Sequence, residues 1–151
     1  MLNWLKRNGK IVFLLFGIAI VAIIFHFSNQ DAIRSYGITY RIVDAIIPRP
    51  ISQADWDRRS MLITLVRKMA QIFLYAWLGA NVSLLSWNNT RLIKSVSISG
   101  LICVCIAVID EIHQISIDGR GASVLDVIID VIGICIGIAI VMIAQKNRGK
   151  R

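Results

Sequence analysis

Four long apolar runs, each nearly free of charge, divide the chain: Ile11–Phe27, Met69–Trp87, Ser95–Ile112 and Val124–Ala144. At 1.5 Å per residue, each is long enough to cross about 30 Å of hydrocarbon as an α-helix. Inside lipid only helices and closed barrels satisfy every backbone group, and none of the runs alternates as a barrel strand must. The connections Asn88–Lys94 and Ser116–Ser123 are short, so the second and third spans, and the third and fourth, are expected to be antiparallel neighbours.

The longer connection, Ser28–Val66, has a pattern of its own. Ile33, Tyr36, Tyr40, Val43 and Ile46 or Ile47 recur at spacings of three and four, while Asp31, Arg34, Arg41 and Asp44 occupy the other face. That spacing predicts an amphipathic helix lying in the membrane interface. Pro48 and Pro50 end it, and Ser52 with Asp55 resembles a capping box opening a helix that can run unbroken into the second span. The expected fold is all-α. It is a single domain over residues 1–151, a polytopic membrane protein built as a four-transmembrane-helix bundle with an interfacial amphipathic helix in its first loop.

Composition agrees with lipid as the solvent. Of the 151 residues, 56% are hydrophobic and only 17% charged, and the mean hydropathy is +0.68. The net charge of +8 would suit nucleic acid, but the basic residues flank apolar runs and no basic face with interleaved aromatics exists, so no nucleic-acid partner is expected. Cys103, Cys105 and Cys135 lie inside apolar runs without metal-ligand spacing and read as small buried apolar residues. The first run has a basic start but no small-residue cleavage site after it, and reads as an uncleaved span.

Counts of Lys and Arg on the two sides barely differ, so their density decides the topology. Lys6, Arg7 and Lys10 crowd the first ten residues, and Lys146, Arg148, Lys150 and Arg151 crowd the end. Both termini are therefore expected in the cytoplasm. The ends of the first and third spans and the starts of the second and fourth then share the outer side. Polar residues from all four gather there: Ser28, Asn29 and Gln30; Arg67 and Lys68; Asp110 to Gln114; Arg120; Asp126 and Asp130.

Several of these could carry chemistry. On the fourth span Asp126, Asp130, Gly133 and Gly137 form one stripe. The Gly133/Gly137 pair permits another helix to come close, from the same chain or from a second copy in a homo-oligomer. Asp130 lies a turn or more inside the interface, where an ionised carboxylate costs roughly 2.5–3.5 kcal/mol, so it should have a partner or a wet recess. Arg67, Lys68 and Arg120 are the candidate partners. On the second span Arg67, Gln71 and Tyr75 step by four and can face the bundle interior. The third span ends Asp110-Glu111-Ile112-His113-Gln114, in which Asp110 can reach His113 at i+3 and Gln114 at i+4. A carboxylate beside an imidazole can orient it for acid–base work, and Glu111, His113 and Asp130 are the catalytic candidates. His26 reads as an ordinary interfacial residue. No familiar metal-ligand spacing appears, so neither a metal nor another cofactor is expected.

These residues together resemble the VanZ-like family of bacterial membrane proteins, named for a teicoplanin-resistance protein. The resemblance covers all four spans. Phe27-Ser28-Asn29-Gln30 is similar to the family's F-S-S-Q, and Arg67-Lys68-Met69-Ala70-Gln71 with Tyr75 is similar to its R-K-x-x-H…Y. Asp110-Glu111-Ile112-His113-Gln114 with Gly119-Arg120 resembles D-E-x-H-Q followed by G-R, and Asp126, Asp130 and Gly133 resemble D-x-x-x-D-x-x-G. Two positions depart from it. Gln71 stands where the family has histidine, and Asn29 replaces the middle serine. A histidine there that carried a proton or a metal would have no equivalent in this chain, whereas glutamine can replace one that donates a hydrogen bond. The resemblance implies a bacterial cell membrane and an association with reduced susceptibility to teicoplanin-type lipoglycopeptides.

The first functional expectation is therefore a non-catalytic protein whose outer-face polar cluster binds a lipid headgroup or a membrane-anchored, lipid-linked amphiphile. Its ligand-binding set is Ser28, Gln30, Arg67, Lys68, Gln71, Tyr75, Asp110, Glu111, His113, Gln114, Arg120, Asp126 and Asp130. The second is a membrane enzyme acting on a lipid-linked phosphate or amide, with Glu111 or His113 as acid–base and the basic residues gripping an anion. The third is a small proton-coupled transporter using Asp130.

Overall fold

The structure, a computed structural model, describes residues 2–30, 32–46, 53–86, 92–117, 119 and 121–148. Five helices follow one another: α1 Leu2–Ser28, α2 Ala32–Ile46, α3 Gln53–Ser86, α4 Leu92–Gln114 and α5 Val124–Arg148. Four are long and apolar enough to cross a membrane, over Gly9–Ser28, Asp55–Ser86, Ile93–Gln114 and Val124–Asn147. The amphipathic α2 makes up the first loop, and the expected prolines at its end lie outside the described residues.

The helices are solvated in the reverse of the soluble pattern. Large apolar side chains face outwards on all four spans, with Leu15 61%, Phe73 66%, Leu101 68% and Ile140 60% exposed. Phe16, Phe73 and Trp77 form an outward-facing aromatic cluster, with ring centres 6.1 and 6.2 Å from Trp77. The core is thin: Ile20 and Ile24 of α1, Tyr75, Leu78 and Val82 of α3, Cys103 and Ala107 of α4, and Ile134 and Ile138 of α5.

α3 is the axis of the molecule and packs against each of the other helices. Its 34 residues make a rod of about 51 Å, well beyond the hydrocarbon thickness. The excess is the polar half before Met69, with Asp57, Arg58, Arg59, Arg67 and Lys68, and so the helix starts well ahead of the apolar run that marks the span.

The most extensive contact joins α3 to α5, a pair the short loops do not predict. Glycine makes it. A Cβ on Gly133 would lie 2.6 Å from Ile72 O, one on Gly79 would lie 2.6 Å from Ile134 O, and one on Gly137 would overlap Ala76 O. Gly133 against Ile72 and Gly137 against Ala76 advance in the same direction, so α3 and α5 run parallel with their backbones in contact. The glycine pair considered for a second copy of the chain is thus occupied by α3 of the same chain. The antiparallel neighbours expected from the short connections, α3 with α4 and α4 with α5, also pack together.

α2 is held on α3 by a buried arginine. Arg59 is 6% exposed, its guanidinium pairs with Asp44, and it sits 5.6 Å from the centre of the Tyr40 ring. Thr39 and Val43, one turn apart, are buried, while Tyr40 stays half-exposed over the arginine.

Candidate ligand-binding site at one end of the bundle

The last turns of α1 and α4 meet the middle of α3 around one carboxylate. α1 closes at Ser28, with Asn29 N–H donating to Phe25 O at 2.9 Å as the last helical bond. On α4, Asp110 and Gln114 are four residues apart and share a face. The Ser28 hydroxyl donates to Asp110 Oδ2 at 2.8 Å, and Gln114 Nε2 donates to Ser28 Oγ at 2.7 Å and to Asp110 Oδ2 at 3.2 Å. Tyr75 completes the set from α3, its hydroxyl 3.3 Å from the same oxygen. All four residues are buried, so this network works in a low dielectric and fixes three helices relative to one another.

Nearby, the Lys68 ammonium on α3 pairs with the Asp126 carboxylate on α5. Asp126 lies in the first turn of α5, where a negative charge also meets the positive end of the helix dipole. Ser123 caps that helix, its carbonyl accepting from Asp126 N–H at 2.9 Å. The backbone N–H of Ser123 donates in turn to Glu111. α4 unwinds towards this cap through tight turns, with Ile115 N–H to Ile112 O at 3.2 Å and Ser116 N–H to His113 O at 3.1 Å. Gly119, in the connection, has φ 73°, a left-handed conformation that disfavours any side chain.

A cavity of about 490 Å³ opens between these groups. Of the residues expected to bind ligand, Ser28, Gln30, Arg67, Lys68 and Gln71 line it, together with Tyr75, Asp110, Gln114 and Asp126. Glu111, His113 and Asp130 do not. Glu111 is turned to the Ser123 backbone and braces the α4–α5 connection. His113 packs its ring against Phe25 at 5.8 Å, and Gln114 is the helical neighbour that hydrogen-bonds Asp110. Asp130 is 1% exposed within the α3–α5 seam, and among the described residues its Oδ1 has no hydrogen-bond partner. Lys68, one of its expected partners, pairs with Asp126. Arg120 lies outside the described residues. Among the described residues no group of three His, Cys, Asp or Glu side chains is placed to hold a metal.

The cavity also has walls that the spacing of polar residues did not identify. Thr39 and Ile42 of α2 and Thr64 of α3 line it, brought there by the Arg59–Asp44 contact. The only sequence signal was the amphipathic period of α2, which predicts a buried face without naming what it covers.

The polar end of the bundle is assembled from the same separated segments that carry the family resemblance, and the match to that family extends beyond them. A family model described as VanZ/LLP1 matches residues 13–145. The chain belongs to the VanZ/LLP1 family. No curated protein and no solved structure matches it. With four candidate spans, this VanZ/LLP1 chain is a multi-pass membrane protein. Its family segments divide by task. Ser28, Asp110 and Gln114 form the buried network and reach the cavity, Arg67, Lys68 and Gln71 supply its α3 wall, and Gly133 carries the α3–α5 contact. Gln71, which replaces the expected histidine, is half-buried in that wall.

Proposed function

We propose that this VanZ/LLP1 protein binds the headgroup of a lipid or lipid-linked amphiphile in the cavity at the polar end of its bundle. The cavity's mixed lining carries this reading. Ile24, Phe27, Ile42 and Leu74 offer apolar surface, while Arg67, Lys68, Gln71 and Asp110 offer charge and hydrogen bonds. A volume of about 490 Å³ suits a ligand of headgroup size with the first part of its chain, since small-molecule sites run to roughly 300–1,000 Å³. Arginine and lysine are the side chains that grip phosphate and carboxylate.

The basic residues at both chain ends support cytoplasmic termini, with the cavity then on the outer side of a bacterial plasma membrane. A protein holding envelope amphiphiles there would change how teicoplanin-type lipoglycopeptides reach their target. Glu111, tied to the Ser123 backbone, is poorly placed for acid–base catalysis, which favours binding over a lipid-directed enzyme.

The test is Arg67→Gln in a strain whose lipoglycopeptide tolerance depends on this protein. Tolerance should fall while membrane abundance is maintained, and lipid co-purifying with the chain should fall with it. Full tolerance with reduced bound lipid would separate the phenotype from the cavity. Full tolerance with unchanged bound lipid would overturn the site.

A further inference from the structure

Charge in the cavity lining is balanced. Among the described residues, Arg67 and Lys68 line it as cations, and Asp110 and Asp126 as carboxylates. These groups are already engaged within the protein. Lys68 pairs with Asp126, Arg67 has an interaction of its own, and Asp110 accepts from Ser28, Gln114 and Tyr75. An anionic headgroup would have to draw a cation away from the partner it has, and would leave that partner uncompensated.

The uncharged polar groups stand differently. Gln30, just after α1, and Gln71, in α3, both line the cavity and are half-buried. Among the described residues neither side chain has a hydrogen-bond partner. Both are anchored through the backbone: Gln71 lies inside α3, one turn beyond Arg67, and Gln30 N–H donates to Phe27 O at 3.4 Å. Thr64, seven residues before Gln71, shares its face of α3 and also lines the cavity. Its hydroxyl donates to Ser60 O at 3.0 Å and still has lone pairs to accept with.

A carboxamide is a donor and an acceptor at once, and so is a hydroxyl. Two neighbouring hydroxyls on a ring can therefore use both halves of one amide. A phosphate or carboxylate oxygen only accepts, and uses the NH₂ alone. An alkyl chain in the same place would leave both amides unpaired, a cost that a hydroxylated ring does not incur. Phe27, 46% exposed, and Leu74 offer apolar surface to the C–H face of such a ring.

We propose that the cavity selects an uncharged, polyhydroxylated headgroup, a glycosyl group carried on a lipid, with Gln30 and Gln71 hydrogen-bonding its hydroxyls. This rests on the headgroup-binding reading and narrows it to one chemical class.

The full chain, purified in a detergent without sugar and placed in nanodiscs, is exposed to monoglucosyldiacylglycerol, phosphatidylglycerol and diacylglycerol of matched chains. Retained lipid is counted by mass spectrometry. The wild-type protein should retain the glucosyl lipid about tenfold or more over each of the others. Gln71→Met and Gln30→Met should each lower that preference severalfold, and the double substitution should erase it. Thermal midpoints accompany the variants, and the wild-type comparison alone decides if a variant misfolds. Displacement by free glucose would place recognition in the sugar itself. Resistance to displacement would show that the lipid is the ligand's source, and both results support the proposal. A glucosyl preference that survives the well-folded double substitution overturns the assignment to the two amides. If phosphatidylglycerol is preferred and Arg67→Gln removes that preference, headgroup binding stands and the uncharged headgroup falls. If all three lipids are retained equally and no substitution changes retention, both readings fall.

Discussion

The hydroxyl of Ser28, on the last turn of α1, donates to the Asp110 carboxylate of α4 over 2.8 Å, across 82 residues of chain. Gln114 Nε2 bonds Ser28 Oγ at 2.7 Å, so the serine both receives and donates within the network. These buried bonds tie α1 to α4 where contact between the two helices is sparse.

Ser28→Ala should therefore loosen the end of α1. It removes a donor to Asp110 and an acceptor for Gln114 while leaving the backbone untouched. The expected loss is about 1–3 kcal/mol, from a buried polar group left unsatisfied. Thermal unfolding in detergent should show a lower midpoint, and an unchanged midpoint would mean the network contributes little to helix association.

Gly137→Leu should be far more damaging than any change on the outward faces. Even a methyl group at this position overlaps Ala76 O, so α3 and α5 must separate along the seam. Overpacking a tight interface costs about 1–3 kcal/mol and occasionally more. Membrane abundance and thermal midpoint should both drop, while Ile140→Leu, on an exposed face, should behave as wild type. A Gly137→Leu protein as stable as wild type would contradict the close α3–α5 approach.

Asp130→Asn separates a functional carboxylate from a structural one. The side chain is fully buried, and its Oδ1 receives no hydrogen bond among the described residues. Replacing a buried carboxyl group whose Oδ1 lacks a hydrogen-bond partner among the described residues by a neutral isostere should keep or raise the thermal midpoint. If Asp130 serves function, lipoglycopeptide tolerance should fall while abundance holds. Unchanged tolerance at normal abundance would assign Asp130 no functional part.

The Lys68–Asp126 pair should couple α3 and α5 weakly. Both side chains are partly exposed, so solvent screens the attraction. A double-mutant cycle with Lys68→Gln and Asp126→Asn should give a coupling of about 1 kcal/mol or less. A much larger coupling would indicate a site drier than the structure places it.

Topology has its own test. Reporter fusions at each end should both score cytoplasmic, as the basic flanks direct. An external score at either end would contradict this topology and remove the proposed link between the cavity and extracellular lipoglycopeptides.

The spans, the amphipathic first loop and the gathering of polar residues at one end were legible in the sequence because each is a property of solvation. Lipid demands long uncharged helical runs, and the polar residues left over must lie where the runs end. The partners of those residues were not legible. Lys68 reaches Asp126 instead of Asp130, Asp110 joins Ser28 and Gln114, and Glu111 holds the Ser123 backbone. Gly133 and Gly137 serve a parallel helix of the same chain, and Arg59 brings α2 over the cavity. Lipid tails are as apolar as the helix surfaces, so hydropathy does not rank one lateral neighbour above another. That choice falls to the closest backbone approach and the rotation of each helix about its axis. Only the packed bundle sets both.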